Sequence, residues 1–106
     1  MSVRIGTFRR PGRLTRAAAA GLRARTVRLP GGNVMDWHST HRREELLLVL
    51  HGGVALEYRI PSGAVRRRRL TAGQYALMPH ETPHRVVNRH AAAAQYVYVT
   101  GPAAIR

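Results

Sequence analysis

The residues of this chain best suited to chemistry begin in "DWHSTHRREELLLVLHGG", residues 36–53. His38 and His41 stand close to Glu44 and Glu45, directly before an aliphatic run. Imidazole nitrogens and carboxylate oxygens together suit divalent iron, manganese, nickel, zinc or copper, and ligand type alone does not choose among these metals. The segment therefore indicates a metal site, with a chance grouping of ordinary polar residues as the alternative.

A second polar segment, "GQYALMPHETPHRVVN" (73–88), ends one predicted strand at Pro79 and opens the next with His84. Alternate residues of a strand share a face, so His84, Val86 and Asn88 point the same way. In this segment, Glu81 or His80 could move protons at the mouth of a barrel.

The same period places Glu45 on the opposite face from Glu44 in the first segment. His38 and His41 are three residues apart, so a regular strand would send them to opposite faces. If both point inward, Ser39–Thr40 must form a bulge or a turn.

The elements that must position these residues are strands. Turn signals separate short runs rich in Val, Leu and Tyr, a pattern typical of an all-β sandwich or barrel. In "YRIPSGAVRR", Pro61-Ser62-Gly63 predicts a hairpin turn, and "LTRAAAAG" (14–21) could form one or two helical turns. The predicted strands are 22–29, 33–38, 45–51, 54–60, 64–70, 75–79, 84–89 and 95–100.

The length of 106 residues predicts one domain, with a basic arm at 1–21 and the β-barrel at 22–106. There is no cysteine, which excludes disulfides and thiol catalysis. Eight arginines and no acidic residue in the first 28 residues resemble a mitochondrial transit peptide. We favour an arm, because "GLRARTVRLPGG" already alternates like a strand. Without an apolar stretch of roughly 20 residues, we expect a cytoplasmic protein with no membrane span.

The formal net charge of +13 raises nucleic acid as a partner. All 18 basic residues are arginine, however, a bias that resembles GC-rich codon usage. The run Arg66–Arg69 lacks the aromatic platforms of single-strand binding and predicts an exposed strand edge instead. We therefore expect a small-molecule ligand or substrate rather than nucleic acid.

The run "LLLVL" (46–50) has no polar alternation, which predicts a strand covered on both faces. The second layer would come from the N-terminal strand or from another subunit. Of these alternatives we favour a homodimer.

The two polar segments resemble the motifs of the cupin family. The first motif runs Gly, five residues, His-x-His, three or four residues, Glu, six residues, Gly, and the second runs Gly, five residues, Pro-x-Gly, two residues, His, three residues, Asn. Ser39 occupies the place of the first histidine, one residue after His38, and Glu81 replaces the second motif's internal glycine. The matching residues are Gly32, His41, Glu45 and Gly52, with a three-residue gap, and Gly73, Pro79, His84 and Asn88.

The resemblance implies a double-stranded β-helix, or jelly-roll barrel, holding one divalent metal. Carried over, it makes His41, Glu45 and His84 ligands, with His38 as the fourth through a local backbone shift. The function implied is a metal-dependent enzyme, such as a dioxygenase or isomerase, acting on a small organic molecule. A non-catalytic binding or sensing barrel is the alternative.

Overall fold

The computed structural model describes residues 3–7, 10–15 and 21–103, which form nine antiparallel strands and no helix. No helix long and apolar enough to cross a membrane occurs in these ranges. The strands are β1 (Gly12–Arg13), β2 (Arg23–Leu29), β3 (Val34–Ser39), β4 (Arg43–His51), β5 (Gly53–Arg59), β6 (Val65–Thr71), β7 (Tyr75–Met78), β8 (Pro83–Val87) and β9 (Ala94–Pro102).

The strands build two facing sheets. One has the order β1-β2-β9-β4-β7 and the other the order β3-β8-β5-β6. The chain crosses repeatedly between the sheets, so β4 and β8, which carry the two polar segments, belong to different sheets. This arrangement is a jelly roll and confirms the all-β prediction.

The core lies between the sheets and follows from alternation along each strand. In β4, Leu47 and Val49 are 1% exposed, while Leu46 and Leu48 on the opposite face are only half-buried. The buried apolar cluster consists of Val27, Leu29, Leu47, Val49, Val54, Leu56, Leu70, Met78, Val86, Ala94 and Tyr96.

The eight predicted strands are confirmed, with boundaries that shift by up to two residues. The short strand β1, which pairs with β2, was not predicted. The hairpin turn is confirmed as well: Gly63 has a φ of 91° and its amide donates to the Ile60 carbonyl. The predicted helical turns fall mostly on residues 16–20, outside the described residues.

The arginine run occupies the position predicted for it. Strand β6 is an edge of the four-stranded sheet, and Arg66–Arg69 are exposed on it. Charged side chains on an edge oppose pairing with another chain, which is a physical reason for the run.

Candidate metal centre

Three side chains from both sheets converge between the layers. His38 is the next-to-last residue of β3, Glu45 lies near the start of β4, and His84 is the second residue of β8. Each offers one ligand atom, and these three atoms lie within 4.8 Å of one another. The rings of His38 and His84, directly opposite on paired strands, have centroids 4.2 Å apart. Two imidazoles and a carboxylate therefore form one cluster.

A β-bulge turns His38 toward this place. Met35 pairs with Val86 and His38 with His84, so three steps along β3 match two along β8. The extra residue falls at Asp36–Trp37 and keeps Met35 and His38 on the inner face. The bulge predicted at Ser39–Thr40, on the condition that both His38 and His41 point inward, lies instead before His38. Ser39 continues the strand, and the turn follows at His41–Arg42.

The bulge also bears on which residues align with the histidine positions of the first cupin motif. A four-residue gap, which that motif also allows, puts His38 at the first histidine and Thr40 at the second. This alignment leaves five residues between Gly32 and His38 and keeps Glu45 and Gly52 in place. The structure favours it, because His38 joins the cluster.

His84 is enclosed on all sides. Its side chain is 0% exposed, and its Nδ1 lies 2.9 Å from the Thr82 carbonyl oxygen. Its Nε2 lies 3.3 Å from Oε2 of Glu45, yet the atom makes no hydrogen bond. Burial by itself would lower the pKa of His84, but the Glu45 carboxylate and the Thr82 carbonyl outweigh it and raise the pKa above the usual value. An unpartnered buried nitrogen beside a carboxylate is a place for a proton or a cation.

The donor set fits a metal ion. The Nδ1 of His38 lies 2.9 Å from the Asp36 carbonyl oxygen, as that of His84 does from Thr82. A carbonyl only accepts, so each Nδ1 is the donor, and in the neutral ring each Nε2 keeps its lone pair for a metal ion. Backbone carbonyls that orient metal-binding imidazoles in this way are a common feature of metal sites.

His41, the remaining predicted ligand, takes a different position. It lies exposed in the β3–β4 turn with a φ of 53° and does not belong to the cluster of three ligand atoms. It still contributes to the wall of the same cavity. Its carbonyl accepts from the amide of Glu81, which also has a positive φ, of 54°. The turn before His84 thus uses the left-handed conformation that the motif's glycine would supply.

The candidate ligands lie in a cavity of about 640 Å³ between the two sheets. Met35, Leu47 and Val86 form an apolar part of its wall. Five arginines also line it, and sequence reasoning had assigned them no site. The signal that could have found two of them is the alternation in "RARTVRL", where Arg23 and Arg25 share a face with Val27 and Leu29. The lining arginines are Arg13, Arg23, Arg25, Arg42 and Arg43.

One of these arginines is held firmly in place. Arg43 donates from Nε to the Thr100 hydroxyl at 2.9 Å and also to the Thr100 and Gly21 carbonyls. Partial burial and the nearby charge of Arg23 hold the pKa of Arg43 below its usual value. The positive charges of Arg23 and Arg43 therefore repel each other within the cavity.

The residues proposed for proton transfer lie elsewhere. His80 and Glu81 are exposed and are absent from the described residues that line the cavity. The phenols that do line it are Tyr96 and Tyr98. Burial, followed by the charge of Glu45 and the neighbouring Tyr98, raises the pKa of Tyr96, so this phenol keeps its proton.

Asn88, the last residue of the second motif, has a structural role. It is 0% exposed and donates to the Leu29 and Ala92 carbonyls, while its side-chain oxygen accepts from the His90 amide. It therefore fastens the loop after β8 to the end of β2.

The comparisons with known proteins agree with this architecture. The family model described as "Cupin domain" matches residues 25–100. No curated protein matches the chain.

Similar solved structures include an oxalate oxidase and an oxalate decarboxylase. A recombinant oxalate oxidase in complex with glycolate is 19% identical, with a TM-score of 0.73 over 77% of this chain and 42% of its own. An oxalate decarboxylase from Bacillus subtilis, a protein with Mn(II) centres, is 17% identical, with a TM-score of 0.72 over 83% and 23%.

Peruvianin-I, described as a cysteine peptidase from Thevetia peruviana latex, is 19% identical, with a TM-score of 0.72 over 77% of this chain and 51% of its own. This chain thus spans about half or less of the length of these three proteins. At such identities the likeness concerns the fold, and one fold can support unrelated functions.

Proposed function

Because the chain belongs to the cupin family, we propose that it binds one divalent transition metal through His38, Glu45 and His84 and acts as a metal-dependent enzyme on a small organic molecule. The observation that carries this proposal is the buried Nε2 of His84, which has no hydrogen-bond partner and faces a carboxylate. A buried polar atom left without a partner costs free energy, and a metal ion would repay that cost.

The ligand set reduces the number of metals to test first. Two histidines and one carboxylate with open positions are typical of iron(II) oxygenases. The Mn(II) centres of the similar oxalate decarboxylase add manganese. Iron and manganese are therefore the first metals to test among iron, manganese, nickel, zinc and copper.

A bound ion of this kind supplies Lewis acidity or activates oxygen. The chain's own residues orient the candidate ligands and shape the cavity around a substrate. The carbonyls of Asp36 and Thr82 orient the two imidazoles, and the apolar wall of Met35, Leu47 and Val86 limits water around the substrate. The Tyr96 hydroxyl, whose pKa is raised, stays protonated and can donate a hydrogen bond to a bound molecule.

The experiment that tests the proposal is elemental analysis by mass spectrometry of the untagged protein and of two variants. We expect about one metal per chain in the wild type, its loss in His84→Ala, and its retention in His51→Ala. His51 is a matched control, because it is exposed at the far end of β4, the strand that carries Glu45. The absence of metal from the wild type, with no thermal stabilisation when metals are added, would overturn the proposal.

His41 stays in the predicted ligand set as a fourth residue, and a third variant tests it. It lines the cavity from a turn but lies outside the three-residue cluster. We therefore expect His41→Ala to keep the metal with a smaller loss of affinity than His84→Ala. An equal loss would make His41 a full ligand and would favour the three-residue gap in the motif.

A non-catalytic binding or sensing role is the second candidate. It is favoured by the exposed positions of His80 and Glu81, which leave the cavity wall with Glu45 as its one carboxylate among the described residues. Oxygen consumption by the metal-loaded protein with a panel of small organic acids discriminates the two. Binding of such a molecule without turnover supports the sensing role.

The partners and the location also remain proposals. We propose a homodimer, from the half-exposed apolar face of β4, and a small molecule rather than nucleic acid as the ligand. The cytoplasmic location stays a prediction.

A further inference from the structure

Strand β2 brings cationic side chains to the inner face of its sheet. Val27 and Leu29 are buried in the core, and the period of two places Arg25 and Arg23 on the same face, beyond the end of the core. Arg25 pairs with Tyr98 of β9, which also lines the cavity. Both arginines line the cavity while they stay exposed to solvent at its edge.

The short strand β1 adds a third cation to this face. Arg13 pairs directly with Arg25, and both line the cavity. Like charges placed directly opposite on paired strands destabilise a sheet. Glu45 is the one acidic side chain among the described residues of the lining, and it faces His84. With five arginines and one carboxylate, the described lining of the cavity carries an excess of positive charge.

We propose that Arg13, Arg23 and Arg25, here termed the arginine face, form an anion subsite that holds the oxyanion of a small organic acid while the acid's other end reaches the metal. This inference rests on the proposed function and names the class of substrate. A planar guanidinium matches a carboxylate or a phosphate in a two-point contact.

The sheet sets how far this face lies from the candidate metal centre. Thr100 of β9 pairs with Arg23 on one side and with Glu45 on the other. Two strand spacings separate Arg23 from Glu45, so their Cα atoms are about 10 Å apart. Leu47 and Val86 line the same cavity. The arginine face and the candidate metal centre are therefore within reach of one small molecule.

The test is isothermal titration calorimetry at low salt with metal-free protein, using succinate, inorganic phosphate and the neutral analogue succinamide as probes. Metal-free protein separates the subsite from the metal centre. The variant is Arg25→Gln. Its matched control is Arg28→Gln, which removes the same charge from the outer face of the same strand.

We expect the wild type to bind succinate or phosphate and to ignore succinamide. Arg25→Gln should weaken the binding about tenfold or more, since it removes a charged hydrogen bond, and Arg28→Gln should leave it unchanged. Binding of succinate assigns a carboxylate and binding of phosphate a phosphate ester; either result supports the subsite. Failure to bind both anions, or an equal loss in Arg28→Gln, overturns it.

Elemental analysis of Arg25→Gln keeps the two proposals apart. If the wild type and this variant bind metal equally while anion binding is absent throughout, the subsite is wrong and the metal centre stands. If the wild type binds anions through Arg25 but holds no metal, the proposed function is wrong and the subsite stands.

Discussion

Two residues near the site adopt a backbone conformation that their side chains disfavour. His41 and Glu81 have φ values of 53° and 54°, in the left-handed region. The amide of Glu81 donates to the His41 carbonyl at 2.7 Å, so the two turns support one another. At Glu81 the cupin motif has glycine, which adopts this conformation without a steric penalty. This chain therefore carries strain in the turn before His84.

The Glu81→Gly variant should be more stable than the wild type. Glycine removes the left-handed penalty of about 1 kcal/mol, and the exposed side chain of Glu81 makes no buried contact to lose. Urea denaturation measures the free energy of unfolding. Glu81→Ala is the control, since alanine keeps the penalty. A glycine variant no more stable than the alanine variant would contradict the assignment of strain.

At the level of elements, hydroxyl groups pin the β3–β4 turn to the β7–β8 turn. Thr40, which occupies the motif's second histidine position, donates to the Pro79 carbonyl at 2.8 Å and accepts from the Thr82 amide at 3.0 Å. The Thr82 carbonyl oxygen in turn lies at hydrogen-bonding distance, 2.9 Å, from Nδ1 of His84. Ligands from two sheets are therefore held in one geometry by contacts between loops.

Replacing Thr40 with valine should destabilise the protein and weaken metal binding. The change keeps the shape of the side chain but leaves the buried Thr82 amide without its partner, at a cost of about 1–3 kcal/mol, while the Pro79 carbonyl keeps the Thr82 hydroxyl as a donor. Denaturation and a metal titration measure the two effects. Thr71→Val is the control, because its hydroxyl contacts Gln74 on the exposed surface. Equal effects from the two variants would show that the Thr40 contact is dispensable.

On the scale of the whole molecule, the outer face of the five-stranded sheet has an apolar patch where β7, β4 and β9 lie side by side. Leu46 pairs with Leu77 and Val99, and Leu48 pairs with Tyr75 and Val97, so these six side chains lie together on the face away from the core. Tyr75 and Leu77 are 66% and 64% exposed. In a chain with a net charge of +13, two copies repel each other least through an uncharged patch. This face is where we place the predicted dimer contact.

Light scattering coupled to gel filtration should find the wild type dimeric and Leu77→Arg monomeric. An arginine on each copy would bury unpaired charge at the interface, which is strongly unfavourable. Val65→Arg is the control, because Val65 is an exposed apolar residue on β6 of the other sheet. A monomeric wild type, or dissociation by both variants, would contradict this interface.

The sequence by itself determined most of the fold. Alternation and turn residues are local properties, and they predicted eight strands and the hairpin at Gly63. The resemblance to the cupin motifs implied that Glu45 and His84 share one site. The strand β1 was missed, since two residues carry no periodic signal.

Only the tertiary structure decided which histidine joins the cluster. A single extra residue in β3 reverses the facing of every later side chain in that strand, and the partner strand β8 decides where that residue goes. The arginines show the same dependence. Along the chain they are a charge bias, and only the pairing of β1, β2 and β9 gathers Arg13, Arg23 and Arg25 around one cavity. Pairing between strands distant in sequence depends on the whole packed core, so no local pattern contains it.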